Sequence, residues 1–517
     1  MEKLYNNIIL RDDFAANPSS PEKVPYLKNP PEVIDVSVGR QLFVDDFLIE
    51  ETELSPTYHK AEKFEGNPIL RAETAWENEP IPVACPKSGG VWYDEKEKIF
   101  KMWYEAGWLR HSCYATSRDG IHWERPDLGI VKGTNLILPY EGYEPEKQIG
   151  ERHGFLGELS FLRPDSSSVV IDDTAPAEER YKLFFRNPGG IGRGMVAVSR
   201  DGLHFEKFRF TNELGDRSTI FYNPFRKKWV YSIRSIESDE NGWWRARRYR
   251  ECDDFLEGAS WTAEEEHCWL SCDELDLPNP YIGMNPQLYN VDCVAYESIM
   301  LGMFQAMYGP ENTVCEKYGT PKITELIPMY SRDGYNFSRP CRDSIIGATF
   351  YDGAWDRGYI QSVGGVTVIN GDELWIYYIG FAGDKRHAGE SWVTNGMYAG
   401  GATGIAKLRR DGFVSMDGMG TLCTRKLSFT GKTAMYINAK GRVQVQLLDT
   451  EGHELADSQV FTGDSTKAEV LFDSFDVATL NGKVFRIRFT VEGELYAFGF
   501  ADETGEFGGA RAAGIVK

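Results

Sequence analysis

Three residues stand seven positions ahead of three similar turns. Asp94, Asp172 and Asn223 each close an apolar, strand-like stretch. Seven residues before them lie Lys87, Asp165 and Asp216. If the stretches are the innermost strands of neighbouring sheets around one axis, all three side chains start at the same mouth. Two carboxylates facing one cavity can do acid–base work at an acetal: one acid protonates a glycosidic oxygen while a second carboxylate attacks or activates water. Further acids lie close in sequence. Glu77 and Glu79, in Trp76-Glu77-Asn78-Glu79-Pro80, precede Lys87, and Glu158 and His153 precede Asp165. The following strands end on Glu105, Arg186, Arg234, Gln305 and Tyr378, and later sheets add Asn290, Asp292, Glu297 and Gln361. Carboxylates mixed with Arg, Gln and aromatic side chains suit sugars, whose hydroxyls need polar partners and whose C–H faces need flat apolar ones. A plainer reading stands beside this one: any of these acids can be a surface or turn residue, and Asp45-Asp46 is read as a structural cap.

The elements that must position these residues are announced by a repeat. Ser117-Arg118-Asp119-Gly120-Ile121-His122-Trp123 returns as Ser199-Arg200-Asp201-Gly202-Leu203-His204-Phe205 and as Ser331-Arg332-Asp333-Gly334-Tyr335-Asn336-Phe337. Arg409-Arg410-Asp411-Gly412-Phe413 is a weaker copy, and Arg250-Glu251-Cys252-Asp253-Asp254-Phe255 a degenerate one. Each has the chemistry of a tight turn, in which Asp accepts from backbone N–H groups and Gly takes positive φ. A repeat of this length in a strand-rich chain reads as propeller blades. Strand-like stretches around the repeats give five blades of about four strands each. In that geometry the repeats occupy the turn between the third and fourth strands, on the face opposite the mouth, and are structural.

Residues 1–38 form a Pro- and Asn-rich lead-in. The strand over residues 41–49 is expected to close the ring by joining the last blade. The propeller spans 39–426. From 427 to 517 the writing changes: Val443, Val445 and Leu447 alternate with polar residues, as do Phe485, Ile487, Phe489 and Val491, which predicts a β-sandwich. The fold class is therefore all-β, a five-bladed β-propeller followed by a C-terminal β-sandwich.

Composition bounds the partners. The chain has 517 residues, is rich in aromatics (13%), which favours strands, and carries a net charge of −21, which repels nucleic-acid backbones. Nine scattered Cys with no paired zinc spacing read as free thiols in a reducing cytosol. No basic-then-apolar leader and no membrane-length apolar run is visible, so a cytoplasmic protein without membrane or nucleic-acid partners is expected. No cofactor and no metal site is expected: the eight His show no ligand spacing, and Gly189-Gly190-Ile191-Gly192-Arg193-Gly194 joins two strands and opens no helix, unlike a phosphate loop. Trp243-Trp244-Arg245-Ala246-Arg247-Arg248 is either a wall of the binding site, an exposed edge hairpin or a contact in a homo-oligomer.

Asn67-Pro68-Ile69-Leu70, Lys101-Met102-Trp103-Tyr104, the three Ser-Arg-Asp-Gly turns and Arg409-Arg410-Asp411-Gly412-Phe413-Val414-Ser415 together resemble the five-bladed propeller glycoside hydrolases, the superfamily of families 32, 43, 62, 68 and 130. The C-terminal segment resembles the sandwich appended to family 32. The resemblance implies an axial site with three acids from early blades: a base or nucleophile from blade one, a supporting Asp from blade two and a general acid from blade three or later, in that order. Mapped onto this chain they are Glu79 (or Glu77), Asp165 and Asp216, with substrate contacts from Glu77, Lys87, Trp103, Glu105, Glu158, Arg186, Arg234, Asp292 and Gln361. The family-32 motifs Asn-Asp-Pro-Asn-Gly, Arg-Asp-Pro and Glu-Cys are absent, and Lys87 stands where family 43 keeps an Asp. The implied activity is hydrolysis of short oligosaccharides containing fructosyl or arabinosyl units. Two alternatives are a glycoside phosphorylase, with Lys87, Arg186 and Arg234 as its phosphate pocket, and a non-catalytic sugar-binding propeller.

Overall fold

The computed structural model describes residues 1–10, 24–137, 165–186, 193–240 and 242–516. Five antiparallel sheets stand around an axis, and their innermost strands touch in the order one, two, three, four, five and back to one. From inside outward, blade one has a split first strand (Ala84–Cys85 and Val91–Asp94), then Ile99–Ala106 and His111–Ser117. Blade two is Asp165–Ile171, Tyr181–Arg186, Arg193–Ser199 and Phe205–Glu213. Blade three is Thr219–Asn223, Lys228–Asp239, Gly242–Cys252 and His267–Ser271. Blade four runs Gln287–Glu297, Ile299–Gly309 and Ile323–Ser331, and blade five Gly358–Asn370, Glu373–Phe381 and Gly401–Arg409. Inner strands therefore start at one face, the mouth, and second strands return to it.

The turns on the far face explain the repeat. Ser117 Oγ accepts the Gly120 N–H at 2.9 Å, and Asp119 Oδ1 accepts from Ile121 and His122 N–H at 2.9 and 2.8 Å. Ser199 and Asp201 make the same bonds, and so do Ser331 and Asp333. Each turn is also an anchor for the neighbouring blade. Trp103 Nε1 donates to the Gly202 carbonyl at 2.7 Å, Tyr377 Oη to that of Gly120 at 3.0 Å, and Trp269 Nε1 to that of Tyr335 at 2.7 Å. Trp103, expected to touch substrate, is thus a buried inter-blade post, packed between Tyr114 and Tyr181. The turn at the end of each inner strand is likewise capped from its own side chain: Asp94, Asp172 and Asn223 accept from N–H groups two or three residues on.

Ring closure differs from the expectation. The strand that joins the outer edge of blade five is Glu62–Lys63, antiparallel to Ala406 and Lys407. The stretch at 41–49 goes elsewhere: Gln41–Leu42 pairs with Ala497 and Phe498, and Ile49–Thr52 pairs with residues 422–424. Its side chains fit that sheet because Leu42, Phe43, Phe47 and Leu48 are all buried. Asp45 is structural, ion-paired with Arg332 at 2.8 Å and capping Phe47 N–H. The chain's C-terminal end also stitches the ring. Ala510–Arg511 pairs with blade four, Ile515–Val516 with blade five, and Tyr93 N–H of blade one donates to the Ala513 carbonyl at 2.8 Å.

The C-terminal sheet has eight strands and folds over on itself. Its two long strands, Ala434–Leu448 and Arg486–Ala501, bend at Gly441 and Gly493, which face each other. Gly418 and Gly463 extend this row across two more strands, and all four have φ between 106° and 144°. Only glycine adopts that backbone freely. The fold encloses Val443, Val445, Leu447, Ile487, Phe489 and Val491, the predicted alternating set. The fourth repeat joins the two parts: Asp411 is buried, ion-paired with Arg40 at 2.7 Å and bonded by Asn438 at 3.1 Å.

Candidate active site at the propeller mouth

At the mouth, the start of each inner strand faces the end of the strand beside it. In blade one the inner strand is interrupted by a short 3-10 turn, Lys87–Gly89. It carries Lys87 at φ 44°, and Lys87 Nζ lies 2.5 Å from Glu105 Oε2. Glu105 Oε1 also accepts the Leu109 N–H at 2.7 Å. In blade three the charges are exchanged. Asp216, ahead of the inner strand, meets Arg234 of the second strand at 3.1 Å. In blade two Asp165 is the register partner of Arg186; Glu158 and His153, in the segment before it, and Gly189, Gly190, Ile191 and Gly192 of the glycine-rich stretch lie outside the described residues.

Asp216 lies in a loop held by arginines. Arg186 Nε donates to the Leu214 carbonyl at 3.4 Å, and the Arg234 side chain lies over Gly215. Arg247 Nη1 donates to the Arg217 carbonyl at 2.7 Å and Nη2 to Asn290 Oδ1 at 3.3 Å. Arg217 Nη2 reaches Ser88 Oγ at 3.3 Å. Burial alone would push the Asp216 carboxyl up. Arg234, then Arg186, Arg247 and Arg217, outweigh burial and hold it below the ordinary carboxylate range. Asp216 is therefore an ionised group, suited to a base or nucleophile, and differs from the general acid that the resemblance implies at this position. Burial, then the positive charges of Arg217 and Arg234, push Arg247 down to about 9.

Across the mouth from this loop, aromatic side chains form a wall. Trp108, on the turn after the second strand of blade one, stacks on Tyr398 with centroids 4.1 Å apart and planes 11° from parallel. Lys87 Nζ sits 4.2 Å from the centre of the Trp108 ring. Tyr289 and Tyr359 share a hydroxyl contact of 2.7 Å, and Lys322 Nζ lies about 5 Å from both rings. Burial raises the Tyr359 and Tyr398 hydroxyls well above their ordinary range, with Tyr289 the next cause for both, so both stay protonated. Lys87, Arg217 and Tyr359 have φ of 44°, 60° and 53°. Such values are costly for residues with a Cβ, and strain of this kind gathers at functional sites.

Below the mouth the axis narrows at Ser88, Asn290 and Asp292. Asp292 accepts from Asn290 Nδ2 at 2.8 Å and from Ser362 Oγ. A separate cavity of about 310 Å³ continues beneath, bounded by Ser88, Asp292, Asp172, Pro224 and the C-terminal residues Gly509 to Ala512. Gln361, on the inner strand of blade five, is fully buried, and neither of its amide atoms has a hydrogen-bond partner among the described residues.

The two acids of the loop before Lys87 separate cleanly. Glu77 is completely buried and all of its capacity is used: Arg125 at 2.7 Å, Tyr104 Oη at 2.6 Å, and the N–H groups of Glu73 and Thr74 at 2.8 and 2.9 Å. It is the N3 residue of a capping box on the short helix Ala75–Asn78, which explains its burial and removes it from the substrate contacts. Glu79 stays exposed on the rim, paired with Arg110 at 2.9 Å over the blade-one turn that carries Trp108. Sequence reasoning located Lys87, Glu105, Asp216, Arg234, Asn290 and Asp292, which the fold brings around one axis. It missed Trp108, Tyr289, Lys322, Tyr359 and Tyr398. It also missed Arg217, whose position beside Asp216 was a usable signal. Among the described residues no group of three or more His, Cys, Asp and Glu side chains is placed to hold a metal ion.

No protein-family model matches the chain, and no curated protein sequence matches it. Solved structures with a similar course include an N-acetylgalactosamine deacetylase from F. plautii (14% identity, 70% of this chain and 96% of that one, TM-score 0.41). Another is an exo-β-1,3-galactanase from Phanerochaete chrysosporium (11%, 83% and 99%, TM-score 0.36). A third is the family-32 β-fructofuranosidase of Bombyx mori (11%, 89% and 94%, TM-score 0.35).

Proposed function

We propose that the chain is a glycosidase whose reacting centre is the propeller mouth, with Asp216 as its ionised carboxylate. The observation that carries this is the Asp216–Arg234 pair: it stands at the mouth, its acid is 43% exposed, and its charge is held by surrounding arginines. An ionised carboxylate there can attack an anomeric carbon or take a proton from water. The stacked Trp108–Tyr398 pair, buried against Lys87, makes a rigid apolar backing for the mouth. Tyr289, the half-buried member of the hydroxyl pair with Tyr359, supplies a polar partner for a sugar's oxygens.

The departing oxygen needs a proton, and Glu79 is assigned that role. Glu105 is a poor donor because Lys87 holds it in a buried ion pair. Glu79 is on the rim, and a substrate laid over Arg110 would displace their pair and leave the carboxyl facing the departing oxygen. Asp165, at the start of the blade-two inner strand, is assigned the supporting acid by position. The substrate class is an oligosaccharide, with furanosyl units such as fructosyl or arabinosyl as the first to try.

Leaving-group chemistry tests the assignment. Aryl furanosides and pyranosides with phenyl and dinitrophenyl leaving groups are assayed with wild type, Asp216→Asn and Glu79→Gln. Asp216→Asn should lose about a hundredfold or more on both leaving groups. Glu79→Gln should lose on phenyl substrates and keep its rate on dinitrophenyl ones, which leave without a proton. Equal activity of Asp216→Asn and wild type would remove Asp216 from the mechanism.

A further inference from the structure

Deepening the glycosidase reading and resting on it, we infer that the outer part of the blade-three hairpin is a second sugar-binding subsite. Trp243, with Ile236 beside it, stacks on a unit of the oligosaccharide chain other than the one being cleaved. The hairpin stands out by its length. In the other blades, among the described residues, the second strand ends level with the start of the inner strand or within two residues of it. Ala84 pairs with Ala106, Asp165 with Arg186, Gln287 with Met307 and Gly358 with Phe381, and those second strands end at Ala106, Arg186, Gly309 and Phe381. In blade three Thr219 pairs with Ser232, and the second strand runs on to Asp239, paired all the way with residues 242–248.

Alternation decides what this projection shows to the mouth. Arg234, Ile236 and Ser238 share one face with their partners Arg247, Arg245 and Trp243. That face is turned to the axis and to blade four: Arg234 meets Asp216 at 3.1 Å, Arg247 donates to Asn290 Oδ1 at 3.3 Å, and Arg245 donates to Gln287. The other face carries the Glu237–Arg248 ion pair at 2.9 Å. One surface therefore runs from the candidate carboxylate past Ile236 to Trp243. Four residues separate Arg234 from Ser238, the partner of Trp243, which is about 14 Å of strand. One sugar ring does not span that distance, so a ring held at Trp243 lies farther along the same chain.

The chemistry of the face fits a sugar. Ile236 and Trp243 are apolar, yet 53% and 51% exposed. The Arg245 guanidinium lies 5.3 Å from the centre of the Trp243 ring and is itself tied to Gln287, which fixes the ring's direction and leaves part of it open. An indole face of this kind packs on the C–H face of a sugar, whose hydroxyls stay in water. Size points the same way. The two half-exposed side chains offer on the order of 200 Å². Each partner in a stable protein interface gives roughly 800 Å², so a second copy of the chain is a poorer match than a sugar ring.

Calorimetric titration of the full chain tests this. The probes are arabino-, fructo- and galacto-oligosaccharides from the disaccharide to the hexasaccharide. They are titrated into wild type and into Asp216→Asn, in which the sugars survive. In at least one series affinity should rise about tenfold from the shortest sugar to the longest, the effect of one well-placed aromatic anchor. Trp243→Ala in the Asp216→Asn background should flatten that series. Trp243→Phe keeps a flat ring and should retain part of the gain; melting temperatures of both variants are read beside the titrations. Affinity that does not depend on length, no binding in any series, or an equal loss in the Ala and Phe variants overturns the inference. So does a dimer, seen by sedimentation, that Trp243→Ala splits without altering the sugar series, which assigns the face to a second copy. Aryl glycosides cleaved in a way that needs Asp216, with no effect of chain length on binding, would spare the glycosidase reading and overturn this one. Length-dependent binding that needs Trp243, with no sugar ever cleaved, would keep the sugar-binding face and overturn the glycosidase reading.

Discussion

Blade one and blade three carry the same ion pair with the charges exchanged. In each, a residue at the start of the inner strand meets one at the end of the next strand: Lys87 with Glu105, and Asp216 with Arg234. Their surroundings are opposite. The blade-one side chains are 3% and 1% exposed, whereas Asp216 is 43% and Arg234 22% exposed. A closed pair spends its charge inside the protein. An open one can exchange its partner for a ligand. The difference arises locally: Lys87 is drawn inward by the turn at Lys87–Gly89 and covered by Trp108, while Asp216 stands in a connecting loop that arginines grip from the sides. Position in a repeat thus gives the register of a pair, and burial decides what the pair is for.

Mutating one partner of each pair should separate these roles. Asp216→Asn is expected to lower turnover by about a hundredfold or more while changing unfolding free energy by no more than about 1 kcal/mol, since exposed pairs contribute little. Glu105→Gln leaves Lys87 buried without its counter-charge and should cost about 3–5 kcal/mol of stability. Urea denaturation of both variants beside steady-state kinetics checks the contrast. A stable Glu105→Gln protein would mean that the blade-one pair is open in solution. Glu77→Gln should fall between, losing about 1–3 kcal/mol because it weakens charge-assisted bonds to Arg125, Tyr104 and two backbone N–H groups, with turnover per folded molecule unchanged.

The parts of this molecule that were legible in the sequence are those written by local chemistry. The Ser-Arg-Asp-Gly turns are self-contained, so they marked the turn that follows the third strand in blades one, two and four before any long-range contact was known, although of these only blade two continues into a full fourth strand. The seven-residue offset brought Lys87 and Asp216 to the mouth because both are counted back from the side-chain-capped turn that ends the inner strand, although the strands themselves differ in length. The mouth loops follow no repeat. Tyr398 lies in the long connection between Phe381 and Gly401, and Trp108 in a short turn, and nothing in either stretch announces that the two rings stack. Ring closure was unreadable for another reason: Glu62–Lys63 is too short to show a period, whereas residues 41–49 look like a strand and pair with a different sheet. Glu77 is the instructive error. Thr74 three residues ahead of it spells a capping box, a signal that would have separated it from Glu79 without coordinates.

The arginines around Asp216 make a prediction in pH. A base or nucleophile must be ionised, so kcat/KM falls on the acid side as Asp216 takes up a proton. Its carboxyl is held below the ordinary range, which places that limb below about pH 4, the value of an unperturbed Asp. Arg234→Gln removes the largest of the stabilising charges and should move the limb to higher pH, whatever it does to the maximal rate. A limb that stays in place would show that a different group controls it. The comparison with blade one sharpens here too, because Lys87→Gln lies beyond the arginine loop and should leave the limb unmoved in whatever protein remains folded.

The smallest effects test whether burial also sorts the three turns. Asp119, Asp201 and Asp333 make the same bonds to the N–H groups two and three residues on, but their fourth partners differ. The first two meet His122 and His204, which are 86% and 70% exposed, and the third meets Asn336 in a buried setting. Asn6 and Tyr26 of the lead-in cover that third turn, bonding the carbonyls of Arg332 and Asn336. An exposed histidine can carry charge at little cost, while a buried one would have to shed it, so a neutral amide serves the covered turn. Changing His204→Asn therefore makes the second turn like the third and should alter stability by less than about 0.5 kcal/mol, the scale of exposed pairs. The reverse change, Asn336→His, brings a larger, titratable ring under the lead-in. It should cost about 1–3 kcal/mol, and the cost should grow as pH falls through about 6.5, because a buried imidazole resists the charge that acid gives the unfolded chain. Thermal melts of the two variants at pH 8 and pH 5.5 would read both numbers. Equal, pH-independent losses would show that the turns differ in sequence alone and that the lead-in does not seal the third.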